Sequence, residues 1–266
     1  MSPVHLYHIA YSPETLAALP PGFSVLDNMS GLRNDWREYW PIRAFLLRET
    51  LEPDAYYGFF SPRFLEKTGL DAVKVTDFVR AAGGADVVAF SPQVDMGAFF
   101  LNIFEQEELF QPGFSALSQQ FVDRAGLQAH LGTLVMDSRH IIFSNYFVAK
   151  PAFWRAWLDL NEQLFALCED GPADDALRAG LTDATTYPGA VQRKVFLMER
   201  IASLMLATDA RWTCKAYNPF GLAWSASRLN QFRLEAVLSD ALKMAIREQG
   251  YADYYEAFSA MRDKLR

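Results

Sequence analysis

The sequence predicts an α/β fold, with a mostly parallel central sheet flanked by helices and a helical C-terminal part. Three observations predict it. Short apolar runs of strand length alternate with helical segments through residues 4–95, the order of parallel βαβ units. Residues 55–60 form a continuous apolar and aromatic run, suited to a strand covered on both faces. Beyond residue 95 apolar positions recur at helical spacing, as at Phe153, Trp157, Leu160, Leu164 and Leu167.

Taken in order, Val4–Ala10 is β-prone and is stopped by Tyr11-Ser12-Pro13. Pro20-Pro21-Gly22 makes a turn into a second short strand over 23–26, followed by a polar loop over 27–34. A helix is predicted over 39–50. Pro41 suits its first turn, where a missing N–H costs little, and Ile42, Phe45 and Leu46 lie opposite Glu49. Residues 71–82 read as a helix ended by Gly83-Gly84, and 86–90 as another covered strand. Further strands are predicted at 131–136, 141–148 and 212–217. Helices are predicted from Pro151, and over 192–207, 231–249 and 252–264. Gly171, Pro172, Gly180, Pro188 and Gly189 mark 170–190 as a loop-rich stretch able to carry a lid. No linker separates a second core, so a single domain over 1–266 is expected.

Composition narrows the function classes. The 266 residues are 51% hydrophobic and 21% charged, the balance of a folded globular chain. A net charge of −7 argues against a general nucleic-acid binder, which needs a cationic face, yet leaves room for one basic pocket. The two cysteines, Cys168 and Cys214, form no C-x-x-C and have no zinc-type spacing with histidine. The start lacks the basic and apolar stretches of a signal peptide, and no apolar run is long enough to span a bilayer. The expectation is a cytoplasmic protein, compatible with peripheral membrane contact. Dinucleotide-binding, P-loop, nucleophile-elbow and zinc-protease motifs are all missing.

In open α/β sheets ligands bind beyond the carboxyl ends of the strands. Those ends carry His8 and Tyr11, then Asp27-Asn28, then Ser61-Pro62-Arg63, then Ser91-Pro92-Gln93-Val94-Asp95. Lys67 follows Arg63 by four residues, and Arg33, Arg37 and Arg43 come from the preceding loop and helix. Guanidinium groups gathered there suit phosphate, whose oxygens they bind in pairs. The plainer alternative is surface pairing with Glu38, Glu49 and Glu66. A second cluster holds Asp137, Arg139 and, further on, Asn145. A third is the helix carrying Glu199, either a surface ion-pair partner or a carboxylate held in a cleft for proton transfer.

Three stretches, Asp54 to Phe64, Asn145 to Lys150 and Gln192 to Leu206, resemble in order the glycosyltransferase-like proteins of bacterial capsule and O-antigen loci. The resemblance implies a GT-A-like, Rossmann-like fold. It implies sugar transfer from a nucleotide-diphosphate donor to a saccharide acceptor in surface polysaccharide synthesis. Residues 1–110 would be the nucleotide half and 111–266 the acceptor half. His8 and Tyr11 would then lie near the base, Arg63 with Lys67 near the diphosphate, and Asn145 in the acceptor cleft, with Arg43, Ser61 and Arg139 as further substrate-binding candidates. Glu199 would stand at the reacting centre. The chain departs from the family by having no Asp-x-Asp for Mg or Mn. Ser61-Pro62-Arg63 stands at the expected place. Cationic side chains would then replace the metal, or Asp95 or Asp137 would serve alone. Otherwise the protein is a non-catalytic carbohydrate- or partner-binding module of the same pathway.

Overall fold

The computed structural model describes residues 2–265. Its strands are β1 (Val4–Ala10), β2 (Ser24–Asp27), β3 (Tyr56–Phe60), β4 (Val87–Ala89), β5 (Phe147–Ala149) and β6 (Cys214–Ala216). The helices of the first half are α1 (Pro13–Ala17), α2 (Tyr39–Arg48), α3 (Phe64–Thr68), α4 (Ala72–Ala81), α5 (Asp95–Ala98) and α6 (Ile103–Glu108). Those of the second half are α7 (Phe114–Arg124), α8 (Pro151–Asp170), α9 (Ala176–Thr182), α10 (Arg193–Thr208), α11 (Arg233–Gln249) and α12 (Ala252–Asp263). The fold is α/β.

The strands form one mixed sheet in the order β2-β1-β3-β5-β4-β6. β1 is parallel to β2 and β3, and β4 to β6, while β5 runs antiparallel to both β3 and β4. Five strands therefore share one direction, and their carboxyl ends meet on the side where β5 begins. Alternate residues of β3 serve opposite layers. Tyr57 and Phe59 pack with the Trp154 and Trp157 side of α8, and Tyr56 and Phe60 pack with Phe64 and Val75 of α3 and α4. That two-sided burial explains why the strand is apolar at every position.

Gly58 lies at the tightest crossing of β3 and β5. A Cβ there would stand 2.8 Å from Val148 Cγ2 and 2.9 Å from Phe60 Cε2. Gly58→Ala is expected to cost about 1–2 kcal/mol by overpacking, seen as a lower urea midpoint at unchanged slope.

Of the expected strands, one is absent and another forms only at its end. Residues 131–136 make a turn and an irregular run. The Leu131 and Leu134 carbonyls accept from Asn102 Nδ2 at 2.8 and 2.7 Å, so a side chain replaces the ladder. Of 141–148 only the end enters β5. The Ile142 amide donates to Ser203 Oγ and the Phe143 amide to Ser91 Oγ, both at 2.9 Å, and left-handed backbone at Ser144 and Asn145 then breaks any extension. The loop-rich stretch 170–190 contains a helix, α9, capped by Asp175, which accepts from the Leu177 and Arg178 amides. Among the described residues no helix is long and apolar enough to cross a membrane.

Candidate functional site

Proline after β3 stops that strand and turns the chain into α3, which brings Ser61, Arg63 and Lys67 to one side. With Arg37 and Glu38 from the loop before α2, Gln93 after β4, Ser144 before β5 and Glu199 of α10, they line a hollow of about 480 Å³. It sits at the carboxyl ends of the parallel strands, and residues from both halves of the chain build it.

Hydrogen bonds fix the floor. Ser61 Oγ and the Tyr146 hydroxyl share one of 2.7 Å, and Lys67 Nζ donates to Ser144 Oγ at 3.0 Å while standing 5.7 Å over the Tyr146 ring. Burial, with Arg63 nearby, lowers the Lys67 pKa. Arg63 forms the rim: its side chain is 62% exposed and pairs with Glu66 at 2.7 Å. That is the surface pairing the sequence offered as the plainer alternative. Arg37 makes no ion pair among the described residues.

Glu199 faces these cations from α10. Its half-buried carboxylate has no hydrogen-bond or ion-pair partner among the described residues. Burial, reinforced by the charge of Glu38, pushes its pKa up to about 7. One residue on, Arg200 is held by the Ile103 and Phe196 carbonyls at 3.0 and 2.8 Å and by the buried Glu107 carboxylate. The turn of helix bearing Glu199 is thereby pinned to α6.

Backbone strain concentrates here. Of the six non-glycine residues with positive φ among the described residues, Arg37, Gln93 and Ser144 line the hollow, and Asn145 and Ala190 adjoin it. Such strain persists only where the surroundings impose it, and it gathers at functional sites. Arg37 is the extreme case, at φ 48° and ψ −130°, a conformation that suits glycine. Arg37→Gly is expected to raise stability by about 1 kcal/mol while removing a cation from the hollow. A thermal melt checks the first effect, and a fall in Tm would refute the strain.

A loop over residues 184–192 forms the opposite rim. An Ala184–Gln192 bridge closes its base, and Tyr187 rests edge-on against Phe196 at 5.7 Å. Gly189, at φ +86°, lets Arg37 approach so closely that a Cβ there would lie 3.2 Å from its Nη2.

The remaining sequence candidates lie elsewhere. Arg43 is drawn to α8, where its Nη2 donates to Glu162 at 2.7 Å and its guanidinium stands 4.4 Å over Phe165. Asp95 is fully buried and accepts from the Ser225 amide at 3.0 Å and from the Ser225 hydroxyl, tying a C-terminal loop to α5. Asp137 is also fully buried. Burial would raise its pKa, but hydrogen bonds from His140 and Arg139 hold it well below the usual carboxylate range. Arg139 is shared between Asp137 at 2.8 Å and Glu248 at 3.2 Å, well occupied by both. His8 is buried against Phe23, its pKa lowered by burial, with Nδ1 unpartnered. Tyr11 is close enough to Glu38 for the carboxylate to add to burial in raising its pKa, but its hydroxyl makes no well-formed hydrogen bond. Asn145 lies behind Ser144, donating to Met198 Sδ at 3.4 Å.

Arg37, which the sequence groups with Arg33 and Arg43 among the strand-end guanidinium groups, and Glu38, which it offers as a pairing partner, belong to the hollow. Their signal was position: both follow the carboxyl end of β2 and precede a helix. Among the described residues no group of three His, Cys, Asp or Glu is arranged to hold a metal ion. No family model, curated protein or solved structure matches this chain.

Proposed function

We propose that the protein is a glycosyltransferase of bacterial surface polysaccharide synthesis, taking its sugar from a nucleotide-diphosphate donor. One observation carries this reading: Arg37, Arg63 and Lys67 converge at the strand ends on a hollow whose far wall is the unpaired carboxylate of Glu199. The order of strands, with one antiparallel member inside a parallel sheet, is compatible with a GT-A-like arrangement. A metal fits poorly at the end of β3, where a hydroxyl and a guanidinium, Ser61 and Arg63, stand in place of carboxylates. The cations take its electrostatic part.

In this reading the donor diphosphate lies against Lys67 and Arg63, with Arg37 completing the grip. Charge growing on the departing nucleoside diphosphate is met by groups already in place, which need no reorganisation as the glycosidic bond breaks. Glu199, with a pKa near neutrality, takes the proton of the attacking acceptor hydroxyl. Tyr146 and Ser144 hold the Lys67 ammonium in position, and the loop over 184–192 covers the mouth.

Calorimetry with UDP-, GDP- and CMP-activated sugars tests the reading. Binding of one of them, weakened by Arg63→Ala, is expected. Silence from all of them at millimolar concentration overturns it. A non-catalytic carbohydrate-binding role predicts instead that donor is never consumed, whatever stands at position 199.

A further inference from the structure

A second hollow, of about 630 Å³, lies between β1, β2 and α2. It shares no lining residue with the strand-end hollow: Trp40 and Pro41 of α2 face the one, and Arg37 and Glu38, just before that helix, face the other. The sheet ends at β2, so α2 covers its neighbours and leaves a groove beside this edge strand. Tyr7, Trp40 and Tyr57 give the groove an aromatic wall, and Asp27, Asn28 and Ser30 face it with hydrogen-bonding groups.

Asn28 is the informative residue. It is only 4% exposed, it lines the groove, and its amide nitrogen has no hydrogen-bond partner. Buried amides in native proteins are paired, and this one, its nitrogen covered by neighbouring atoms, would gain its missing partner if the side chain turned toward a ligand in the groove that can both donate and accept. Charge narrows the ligand further. Glu49 is neutralised by Arg48 at 2.7 Å, Glu52 faces His5 at 3.2 Å, and Asp27 already accepts the Met29 amide at 2.8 Å. The groove has no free cation of the kind a phosphate needs, and Asp27, which takes no part in an ion pair, is the carboxylate left to accept from a ligand's hydroxyls.

We propose that this groove binds a neutral saccharide, its C–H face packed on the aromatic wall and its vicinal hydroxyls bonded by Asn28 and Asp27. Sugars combine an apolar face with paired donors and acceptors, and aromatic side chains supply the matching apolar surface. The site is separate from the strand-end hollow and does not depend on the transferase reading.

Saturation-transfer NMR on the full chain tests this, with lactose, cellobiose and N,N′-diacetylchitobiose as probes and choline and inorganic phosphate as charged comparators. At least one disaccharide is expected to bind at millimolar concentration. Asn28→Ala should weaken it about tenfold or more, the loss of one or two good hydrogen bonds, and Lys67→Ala should leave it unchanged. Asp27 is exposed, so Asp27→Ala removes the neighbouring hydroxyl contact and should weaken binding likewise, even if Asn28→Ala fails to fold. No disaccharide binding at about 10 mM, displacement by choline or phosphate, or loss through Lys67→Ala with Asp27→Ala unaffected would each overturn the assignment.

Discussion

Glu199→Gln is expected to lower sugar transfer by about 10²–10⁴-fold, the usual contribution of a positioned general base, while donor affinity stays within about threefold. The amide keeps the shape of the side chain but cannot accept a proton from the acceptor. Steady-state kinetics with the donor found by calorimetry checks it, and full turnover by the variant would remove Glu199 from the mechanism. The wild-type rate should climb as pH passes about 7, where the carboxyl loses its proton, and the variant should lack this limb.

The same residue makes a stability prediction of definite sign. Its carboxyl keeps the proton to about 7 in the native state, against an ordinary value of 4.5. The native state therefore binds the extra proton between those values. The stability this confers is complete below pH 4.5 and is lost as pH rises through 7. Above 7 the folded protein carries an unpaired, half-buried charge that the unfolded chain hydrates freely. Glu199→Gln should thus be more stable than wild type at pH 8, by about 1–2 kcal/mol after allowing for partial solvent contact, and equal to it at pH 4. Paired urea titrations at the two pH values read the difference directly.

Lys67→Met should weaken nucleoside-diphosphate binding about 10–100-fold, since a hydrogen bond to a charged group contributes about 1.5–3 kcal/mol. Methionine keeps the apolar stem against Tyr146 and removes only the charge, so the melting temperature should barely move. The ammonium is partly desolvated and donates to Ser144 at 3.0 Å, so it waits in position for an anion. Calorimetry with UDP and GDP measures the effect. An unchanged Kd would show that the phosphates lie elsewhere.

Much of the middle of the sheet could be read in the sequence because β3 and β4 are covered on both sides, and continuous apolar runs such as 55–60 then mark them without ambiguity. Residues 131–136 and 141–148 carry the same composition for a different reason. Apart from the last two residues, which enter β5, they are loops whose buried backbone groups are met by Asn102, Ser203 and Ser91, and such distant partners leave no periodic trace. The site divides along similar lines. Ser61, Arg63 and Lys67 follow a strand end closely enough for topology to place them. Arg43 could not be separated from them, because its partner Glu162 is 119 residues away in sequence. Asp95 and Asp137 have the same chemistry as a working carboxylate until Ser225, Arg139 and His140 occupy their oxygens. Glu38 and Glu199 differ from them only in being left without such donors.

The anchoring of Arg200 bears on how the proposed transferase would cycle. The helical turn carrying Glu199 is bolted to one carbonyl and one carboxylate of α6, those of Ile103 and Glu107, so Glu199 has little slack in which to swing. In the proposed transferase, admission of a donor and escape of its spent nucleotide would then fall to the neighbouring loop, fastened at its base by one bridge and by the Thr185 bonds to the Val191 carbonyl. If the protein is the transferase proposed above, a rigid anvil beside a movable cover would set the tempo of turnover by the cover's opening, and solvent viscosity rather than acceptor nucleophilicity would be the variable that slows it.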